Sequence, residues 1–452
     1  MGYEYADAQN YAANEGSLNI GQMYITDDYK TRIHITLPDE HITPTFRVDF
    51  TTNNSSVEVD WGDGSSPSTL SGNSGQFAEE LHEYPEGGDY VISIECLSGL
   101  FSFTGVDTYF AYLIHDGAAN STNRVYLNSV TNIELGSGIN QILNSAFREM
   151  SYLETITIPS GVTTFGNNVF DGDYSLTSTT LPDTAKTLNT NMFRNCKSLT
   201  HVSLNRGITS LPDNMFDSCK ELEMISVPDT VTRINKAFVD CYNLKNITIP
   251  SSVKELSDTF RDLYNLEYCI IPSGVTTLYS YAFGSCYSLT SVTIPDNVKT
   301  ISSNVFSNCK AMTSLSLGSG VTEIGAYAFQ NCSALTTLTI PNNVKTIRNN
   351  AFSGCNGLKS VKVPNSLTLM ENYIFSDCCS LTDRTLENGL TKISPRMFAG
   401  CSTVEHISLP DSIQTIYEGA FANCKNLVDI TIPEGVTPIN TETFYGCDRL
   451  KS

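Results

Sequence analysis

The sequence predicts a mostly β protein: a solenoid of about fourteen coils with a parallel strand ladder, preceded by a small antiparallel β-sandwich. The first observation is a phenylalanine that recurs at steps of 22 or 23 residues, a period typical of a repeat unit stacked on its copies. The second is a set of alternating apolar and polar segments, separated by Asn, Ser, Gly and Pro, between residues 30 and 100. The recurring residues are Phe147, Phe170, Phe193, Phe216, Phe238, Phe260, Phe283, Phe306, Phe329, Phe352, Phe375, Phe398, Phe421 and Phe444.

One copy of the repeat, residues 335–355, indicates the use of each position. Leu335, Leu338 and Ile340 predict the inward face of a strand, since threonines occupy the positions between them. Pro341 ends this strand because it has no N–H for a ladder. A Val and an Ile then return on the far side of the coil, and a Phe fills the interior corner. No single coil buries its own apolar face, so the coils must stack.

Two adjacent copies are shorter than the others. The spans 228–238 and 250–260, from the proline to the phenylalanine, each lack one residue. We expect a local change of curvature where these two coils lie.

The repeat frame resembles the BspA-type leucine-rich repeat family, whose units read approximately L-x-x-I-x-I-P-x-x-V-x-x-I-x-x-x-A-F-x-x-C. The resemblance covers about residues 127–452 and implies a leucine-rich repeat solenoid. It also implies an elongated binding or adhesion protein of bacterial surfaces, parasite surfaces or phage particles, without a conserved active site.

The N-terminal quarter contains a second set of motifs. Trp61-Gly62-Asp63-Gly64-Ser65, then His82-Glu83-Tyr84 and Gly88-Asp89-Tyr90-Val91, resemble the PKD family of immunoglobulin-like domains over about residues 30–100. The Asp-Gly pair suits a tight turn, and Trp61 is expected in the core of the sandwich. Asp60 and Asp63 are alternatively cation ligands, but two carboxylates are too few for a calcium cage, so we favour the turn.

The remaining segments lack both patterns. We interpret residues 1–29 as an arm or attachment segment, 30–100 as the PKD-like sandwich, 101–128 as an N-terminal cap that seals the first coil, and 129–452 as the solenoid. No cap sequence follows the last coil. We therefore expect either that the natural chain continues or that this coil packs on a partner, including a second copy of the chain.

Composition narrows the classes of partner. The chain has 452 residues, with 27 basic and 48 acidic side chains and a net charge of −21. This balance argues against nucleic acid and anionic membranes as partners. No run of eighteen apolar residues exists, which predicts no membrane insertion. The first residues have no basic and apolar leader, so either a signal peptide was removed or export never used one.

Eleven of the fourteen cysteines lie three residues after the repeat phenylalanine, one per coil. Such equivalent positions predict a column of buried turn residues, which we call the rung. Met150 and Leu263 occupy the rung in other coils. An apolar side chain can replace a cysteine that only fills space, but it cannot replace a disulfide partner or a metal ligand. We therefore expect free structural thiols at Cys196, Cys219, Cys241, Cys286, Cys309, Cys332, Cys355, Cys378, Cys401, Cys424 and Cys447.

The sequence contains no motif for catalysis or for binding a metal, so we predict no enzyme activity, no metal and no cofactor. The six histidines form no H-E-x-x-H, and neither C-x-x-C nor a glycine-rich phosphate loop occurs. No serine or cysteine has a base and an orienting acid that the repeat would bring together. A glycan-active enzyme would need paired carboxylates in a pocket, and the repeat supplies none.

The candidate ligand-binding residues follow the rung. In six consecutive coils the next residue is Lys or Tyr, so three tyrosines should stack with lysines at both ends, beside the two shortened copies. Amphipathic rings bordered by cations are suitable anchors for a glycan or an acidic partner. Simple turn packing between coils is the alternative explanation. The candidates are Lys197, Lys220, Tyr242, Tyr264, Tyr287 and Lys310, with Tyr268, Tyr279 and Tyr281 in the same coils.

These observations favour a non-enzymatic adhesion or recognition protein that binds a host-cell protein or glycan through the solenoid surface. We expect an extracellular or cell-surface location on bacteria. A phage virion or tail-associated protein that recognises a host is the alternative, favoured by a start at Met1 without a signal peptide.

Overall fold

The structure is a computed structural model. It describes residues 30–37, 45–50, 52–98, 101–103, 114–115, 130–137, 139–364, 366–381, 383–386, 390–437 and 439–451. The regular structure of these residues is all β, without a helix, and the chain divides into two compact units, 1–187 and 188–452. The predicted fold class, a repeat solenoid with parallel ladders, is confirmed. The predicted arm, residues 1–29, lies outside the described residues.

The first unit contains thirteen strands in the described ranges. They are β1 (Lys30–Leu37), β2 (Thr45–Phe50), β3 (Ser55–Asp60), β4 (Ser68–Gly72), β5 (Phe77–Leu81), β6 (Gly88–Ser98), β7 (Phe101–Phe103), β8 (Ile114–His115), β9 (Val130–Glu134), β10 (Ile139–Ile142), β11 (Thr155–Thr157), β12 (Thr164–Phe165) and β13 (Ser178–Thr180).

The second unit contains short strands, two per coil in most coils. They are β14 (His201–Ser203), β15 (Ser210–Leu211), β16 (Arg233–Asn235), β17 (Asn246–Thr248), β18 (Glu255–Ser257), β19 (Tyr268–Ile270), β20 (Thr277–Leu278), β21 (Ser291–Thr293), β22 (Thr300–Ile301), β23 (Ser314–Ser316), β24 (Glu323–Ile324), β25 (Thr337–Thr339), β26 (Thr346–Ile347), β27 (Ser360–Val363), β28 (Leu369–Met370), β29 (Asp383–Leu386), β30 (Lys392–Ile393), β31 (His406–Ser408), β32 (Thr415–Ile416) and β33 (Asp429–Thr431).

In the first unit, two antiparallel sheets join the ladders of the first coils. One sheet pairs β4 with β3, β3 with β6 and β6 with β1, and β1 then pairs with β9 of the first coil. The other pairs β2 with β5, β7 and β8, and β7 then pairs with β10. Both pairings cover strand edges that would otherwise expose unpaired N–H and C=O groups. Of the predicted cap, 101–128, the structure describes only β7 and β8.

Trp61 lies in the apolar interior of the N-terminal strands. It is 1 % exposed, its ring stacks on His82 at 4.4 Å, and its carbonyl accepts a 3.0 Å hydrogen bond from the Tyr84 hydroxyl. Asp60 and Asp63 act in the turn, where each accepts a backbone N–H two residues later at 3.0 Å. Asp63 also contacts His82 at 2.8 Å between Oδ2 and Nε2. Both carboxylate oxygens of Asp63 therefore serve the turn and the contact with His82.

Two parallel ladders build the second unit. The leucine-rich strands pair as β17 with β19, β21 with β23, β25 with β27 and β29, and β31 with β33. The returning Val-x-x-Ile segment forms a ladder of its own, from β15 through β28 in eight strands. Each coil therefore bonds its neighbours on two sides.

The repeat phenylalanines form a column of rings inside the coils. Within the second unit neighbouring centroids lie 5.1–6.1 Å apart and most rings are parallel. The column is least regular at the shortened copies. Phe238 and Phe260 are 6.1 Å apart, and Phe260 tilts by 32° against Phe283.

Two left-handed residues flank every phenylalanine. The residues two before and two after it have φ between 46° and 88° in all fourteen copies. Asn, Asp, Ser or Gly fills most of these positions, because short polar side chains and glycine tolerate this region best. The N–H groups of these residues and of the phenylalanine donate to the next coil, as from Asn304, Phe306 and Asn308 at 2.7–3.0 Å. This corner thus adds a third set of bonds between coils.

Candidate ligand-binding surface

The rung cysteines are structural hydrogen-bond donors. From Cys219 to Cys447, the Sγ of each rung cysteine donates to the carbonyl of the phenylalanine one coil earlier, for example from Cys332 to Phe306 at 3.3 Å. That carbonyl also accepts the Cys309 N–H of its own coil. Burial raises the pKa of the Cys332 thiol well above its usual range, so the thiolate needed for redox or metal chemistry is disfavoured. None of the thirteen cysteines whose side chains are described forms a disulfide.

One rung position carries a carboxylate that the repeat pattern did not reveal. Asp173 takes the place of the cysteine in the second coil and is fully buried. Its Oδ1 accepts the Met150 N–H at 2.8 Å, whereas its Oδ2 has no hydrogen-bond partner. Burial, with Asp171 and Glu149 nearby, raises the pKa of Asp173 well above its usual range. Aligning residue 173 with the rung would have identified it from the sequence.

The three tyrosines after the rung form a continuous stack, which we call the tyrosine stack. Tyr242 and Tyr264 have ring centroids 4.7 Å apart, and Tyr264 and Tyr287 have theirs 4.8 Å apart, with interplanar angles of 6–7°. Lys220 places its Nζ 5.4 Å from the Tyr242 centroid, and Lys310 lies 4.7 Å from that of Tyr287. The ring faces are therefore covered by each other and by two ammonium groups, so a ligand meets ring edges and hydroxyls.

Acidic side chains lie near the hydroxyls of the stack, and their charge disfavours ionised tyrosines. Burial and the charge of Asp240 raise the pKa of Tyr242 to about 12. Burial, Asp262 and Asp217 raise the pKa of Asp240. The stack is thus a fixed, uncharged hydroxyl edge with a cation at each end.

The other candidate residues lie apart from the stack along the coil. Lys197 precedes Lys220 by one coil, and its carbonyl accepts the Glu221 N–H at 3.2 Å. Tyr268 is on β19, 51 % exposed. Tyr279 and Tyr281 follow the second ladder, and Tyr281 lies under the Arg261 guanidinium at 5.0 Å. The candidates therefore occupy three places on the coil.

Within the described part of the chain, no group of three or more His, Cys, Asp and Glu side chains is placed to hold a metal ion. Among the described residues we find no helix with the length and apolar character needed to cross a membrane.

Comparison with known proteins identifies the repeat. The profile of the BspA type Leucine rich repeat region matches residues 122–238, 210–336 and 322–451. No curated protein matches the chain. A leucine-rich repeat protein from Bacteroides ovatus shares 21 % identity at a TM-score of 0.55, over 87 % of this chain and 92 % of that one. This likeness shows the fold.

A leucine rich cell surface protein from Faecalibacterium prausnitzii is 26 % identical, with a TM-score of 0.44, over 71 % of this chain and 88 % of its own. Proteins with these repeats are generally binding scaffolds, typically at the surface or secreted, and a role in protein interaction or adhesion follows from the family. Because its profile matches together span residues 122–451, about three quarters of the sequence, the chain belongs to the BspA-type leucine-rich repeat family.

Proposed function

We propose that the chain is a non-enzymatic recognition protein of an extracellular or bacterial cell-surface location, which binds a host-cell protein through the tyrosine stack. The proposal rests on the geometry of the tyrosine stack. Its ring faces are covered, and its ring edges and hydroxyls are left for contact with a partner. The PKD-like segment, about residues 30–100, serves as a spacer in this proposal.

The chemistry of the stack favours a protein over a glycan at this place. Sugar rings bind aromatic side chains through the ring face, and here Lys220, Lys310 and the neighbouring rings cover the faces. Edges and hydroxyls instead suit the backbone and side-chain polar groups of a protein. Tyrosine contributes such contacts at low entropic cost, since its ring has two rotatable bonds and is already held.

The experiment separates the hydroxyl edge from the packing of the rings. Tyr264→Phe keeps the stack and removes one hydroxyl, so binding to a host-cell protein should weaken about five- to tenfold with an unchanged melting temperature. Tyr417→Phe, at an exposed tyrosine elsewhere on the coils, is the matched control. Host-cell and host-protein binding by surface plasmon resonance measures both. Equal binding by wild type and Tyr264→Phe would contradict the proposal.

A further inference from the structure

A second set of tyrosines lies on the side of the coils just before the phenylalanine column. Tyr281, Tyr327 and Tyr373 occupy equivalent positions on alternate coils, and we call them the tyrosine row. Each is 37–38 % exposed. Each donates its backbone N–H to the next coil, at 2.9–3.3 Å. Asn304 and Asn350 take the same position in the two coils between.

The row is maintained against backbone preference. The three tyrosines have φ of 58–59°, in the left-handed region. Bulky side chains are unfavourable there, whereas asparagine is several-fold enriched. Five other coils have asparagine at this position (Asn168, Asn191, Asn214, Asn304 and Asn350). Strained residues of this kind persist mainly where they serve a function. Lys236, Arg396 and Glu442 also occupy this position in other coils, so it is the recurrence of tyrosine at every second coil, and not the strain alone, that points to a function.

The spacing of the row is fixed by the solenoid. In the tyrosine stack one coil advances the rings by 4.7–4.8 Å, so two coils separate neighbouring tyrosines of the row by about 10 Å. This distance corresponds to one disaccharide unit of an extended β-1,4-linked polysaccharide. A ligand that repeats at the same interval would meet an equivalent ring and amide at every unit.

The row is also rigid, and charged side chains lie beside it. Arg348 lies on the same side of the coils and joins them, with Nε 2.6 Å from Glu323 Oε1 and Nη1 3.2 Å from Glu371 Oε1. Arg261 lies over one face of the Tyr281 ring at 5.0 Å, so a sugar at this tyrosine would contact the opposite face. A preorganised row loses little entropy when it binds a ligand. Since the chain carries a net charge of −21, a neutral polymer is favoured over an anionic one.

We propose that the tyrosine row binds a neutral, extended β-1,4-linked polysaccharide along the solenoid axis, one disaccharide per tyrosine, with Asn304 and Asn350 hydrogen-bonding the sugar hydroxyls between the rings. This site is separate from the tyrosine stack and goes beyond the protein partner proposed there.

Isothermal titration of the full chain with β-1,4-linked gluco-, N-acetylglucosamine and manno-oligosaccharides tests the proposal. Affinity for one series should rise at least about tenfold from the disaccharide to the hexasaccharide, because the longer chain contacts all three tyrosines. Maltohexaose, an α-linked helical chain, is the control for geometry and should bind no better than the disaccharide. Absence of binding to all three β-linked series, or equal affinity for maltohexaose, would overturn the proposal.

Tyr327→Asn is the decisive variant, because it installs the residue of the neighbouring coils and relieves the backbone strain. Hexasaccharide affinity should fall about tenfold, while the melting temperature stays unchanged or rises. Tyr417→Asn should leave the affinity unchanged. Unaltered affinity in Tyr327→Asn would refute the row as the site. Loss of sugar binding in Tyr264→Phe would instead assign the sugar to the tyrosine stack and also overturn the inference. Host-protein binding is measured separately and does not depend on these outcomes.

Discussion

Replacing Asp173 by cysteine should stabilise the first unit. The carboxylate is fully buried at a rung position, and its Oδ2 lacks a hydrogen-bond partner. An unsatisfied buried polar atom costs about 1–3 kcal/mol. In Asp173→Cys the Met150 N–H loses Oδ1 but keeps the Phe147 carbonyl at 3.4 Å. We therefore expect a gain of about 2 kcal/mol in the free energy of unfolding at pH 7.

The gain should depend on pH with a defined sign. Because the pKa of Asp173 is raised in the folded state, the unfolded chain releases this proton first as the pH increases. The free energy of unfolding of the wild type therefore falls relative to that of the variant, by at most about 1.4 kcal/mol per pH unit. This fall begins near pH 4 and ends at the pKa of Asp173 in the folded state. Below pH 4 only the packing difference remains.

Urea unfolding monitored through Trp61 provides the assay. This is the single tryptophan of the chain, and it is buried in the same unit. Asp173→Asn removes the charge and keeps the shape. Its stability relative to the wild type should therefore vary with pH in the same way as that of Asp173→Cys. Asp171→Asn, which breaks the contact with Arg148 at 3.3 Å, is the opposing control and should destabilise. A gain that is constant between pH 4 and pH 8, or a loss of stability in Asp173→Cys, would show that the buried carboxylate does not destabilise the folded unit.

Three further predictions concern the interior and the N-terminal strands. Phe329→Ala should lower the free energy of unfolding by about 3–5 kcal/mol in urea titrations, because it removes a fully buried ring from the column; a cost below 1 kcal/mol would contradict the ring column as the core. Native-state alkylation followed by mass spectrometry should label Cys379, which is partly exposed, long before Cys332, which is buried; equal rates would contradict the thiol column. Asp63→Asn should cost about 1–2 kcal/mol near neutral pH, since the carboxylate accepts bonds from Ser65 and His82. The pKa of Asp63 is lowered to about 2, so this cost should shrink as the pH falls from 4 to 2 in Trp61-monitored unfolding.

The period of the phenylalanines was sufficient to predict the solenoid. Burial of residues such as Leu338, Ile340 and Phe352 in one copy follows the inward positions read from the repeat, because alternation and spacing determine which side chains can reach the core. The column of tyrosines beside the rung was likewise readable from the sequence. Stacking requires only that equivalent positions of consecutive coils lie about 4.8 Å apart.

Other features were missed for physical reasons. The second ladder involves two-residue strands such as Thr346–Ile347, too short for alternation to be recognised. Asn, Asp and Gly at many positions beside the phenylalanines are typical of left-handed residues. Tyrosines such as Tyr327 and Tyr373 at the same positions do not indicate this conformation. Which faces of the stacked rings stay accessible depends on where flexible lysines such as Lys310 rest, and spacing does not fix that.

In the proposed recognition, the coils supply a rigid frame and the differences between coils select the ligand. The repeated interior of Leu, Ile, Phe and Cys keeps the copies in register, so a surface side chain such as Tyr327 is held at a fixed distance from its neighbours. Affinity then arises from several weak contacts held in place, which is how preorganised surfaces limit the entropic cost of binding.

The most direct test of recognition by the exposed tyrosines is a binding array of host-cell proteins and glycans, probed with the full chain, Tyr264→Phe, Tyr327→Asn and Tyr417→Phe. We expect protein binding that weakens in Tyr264→Phe alone and polysaccharide binding that weakens in Tyr327→Asn alone. Binding that all four proteins share equally, or no binding to any member of the array, would contradict this expectation.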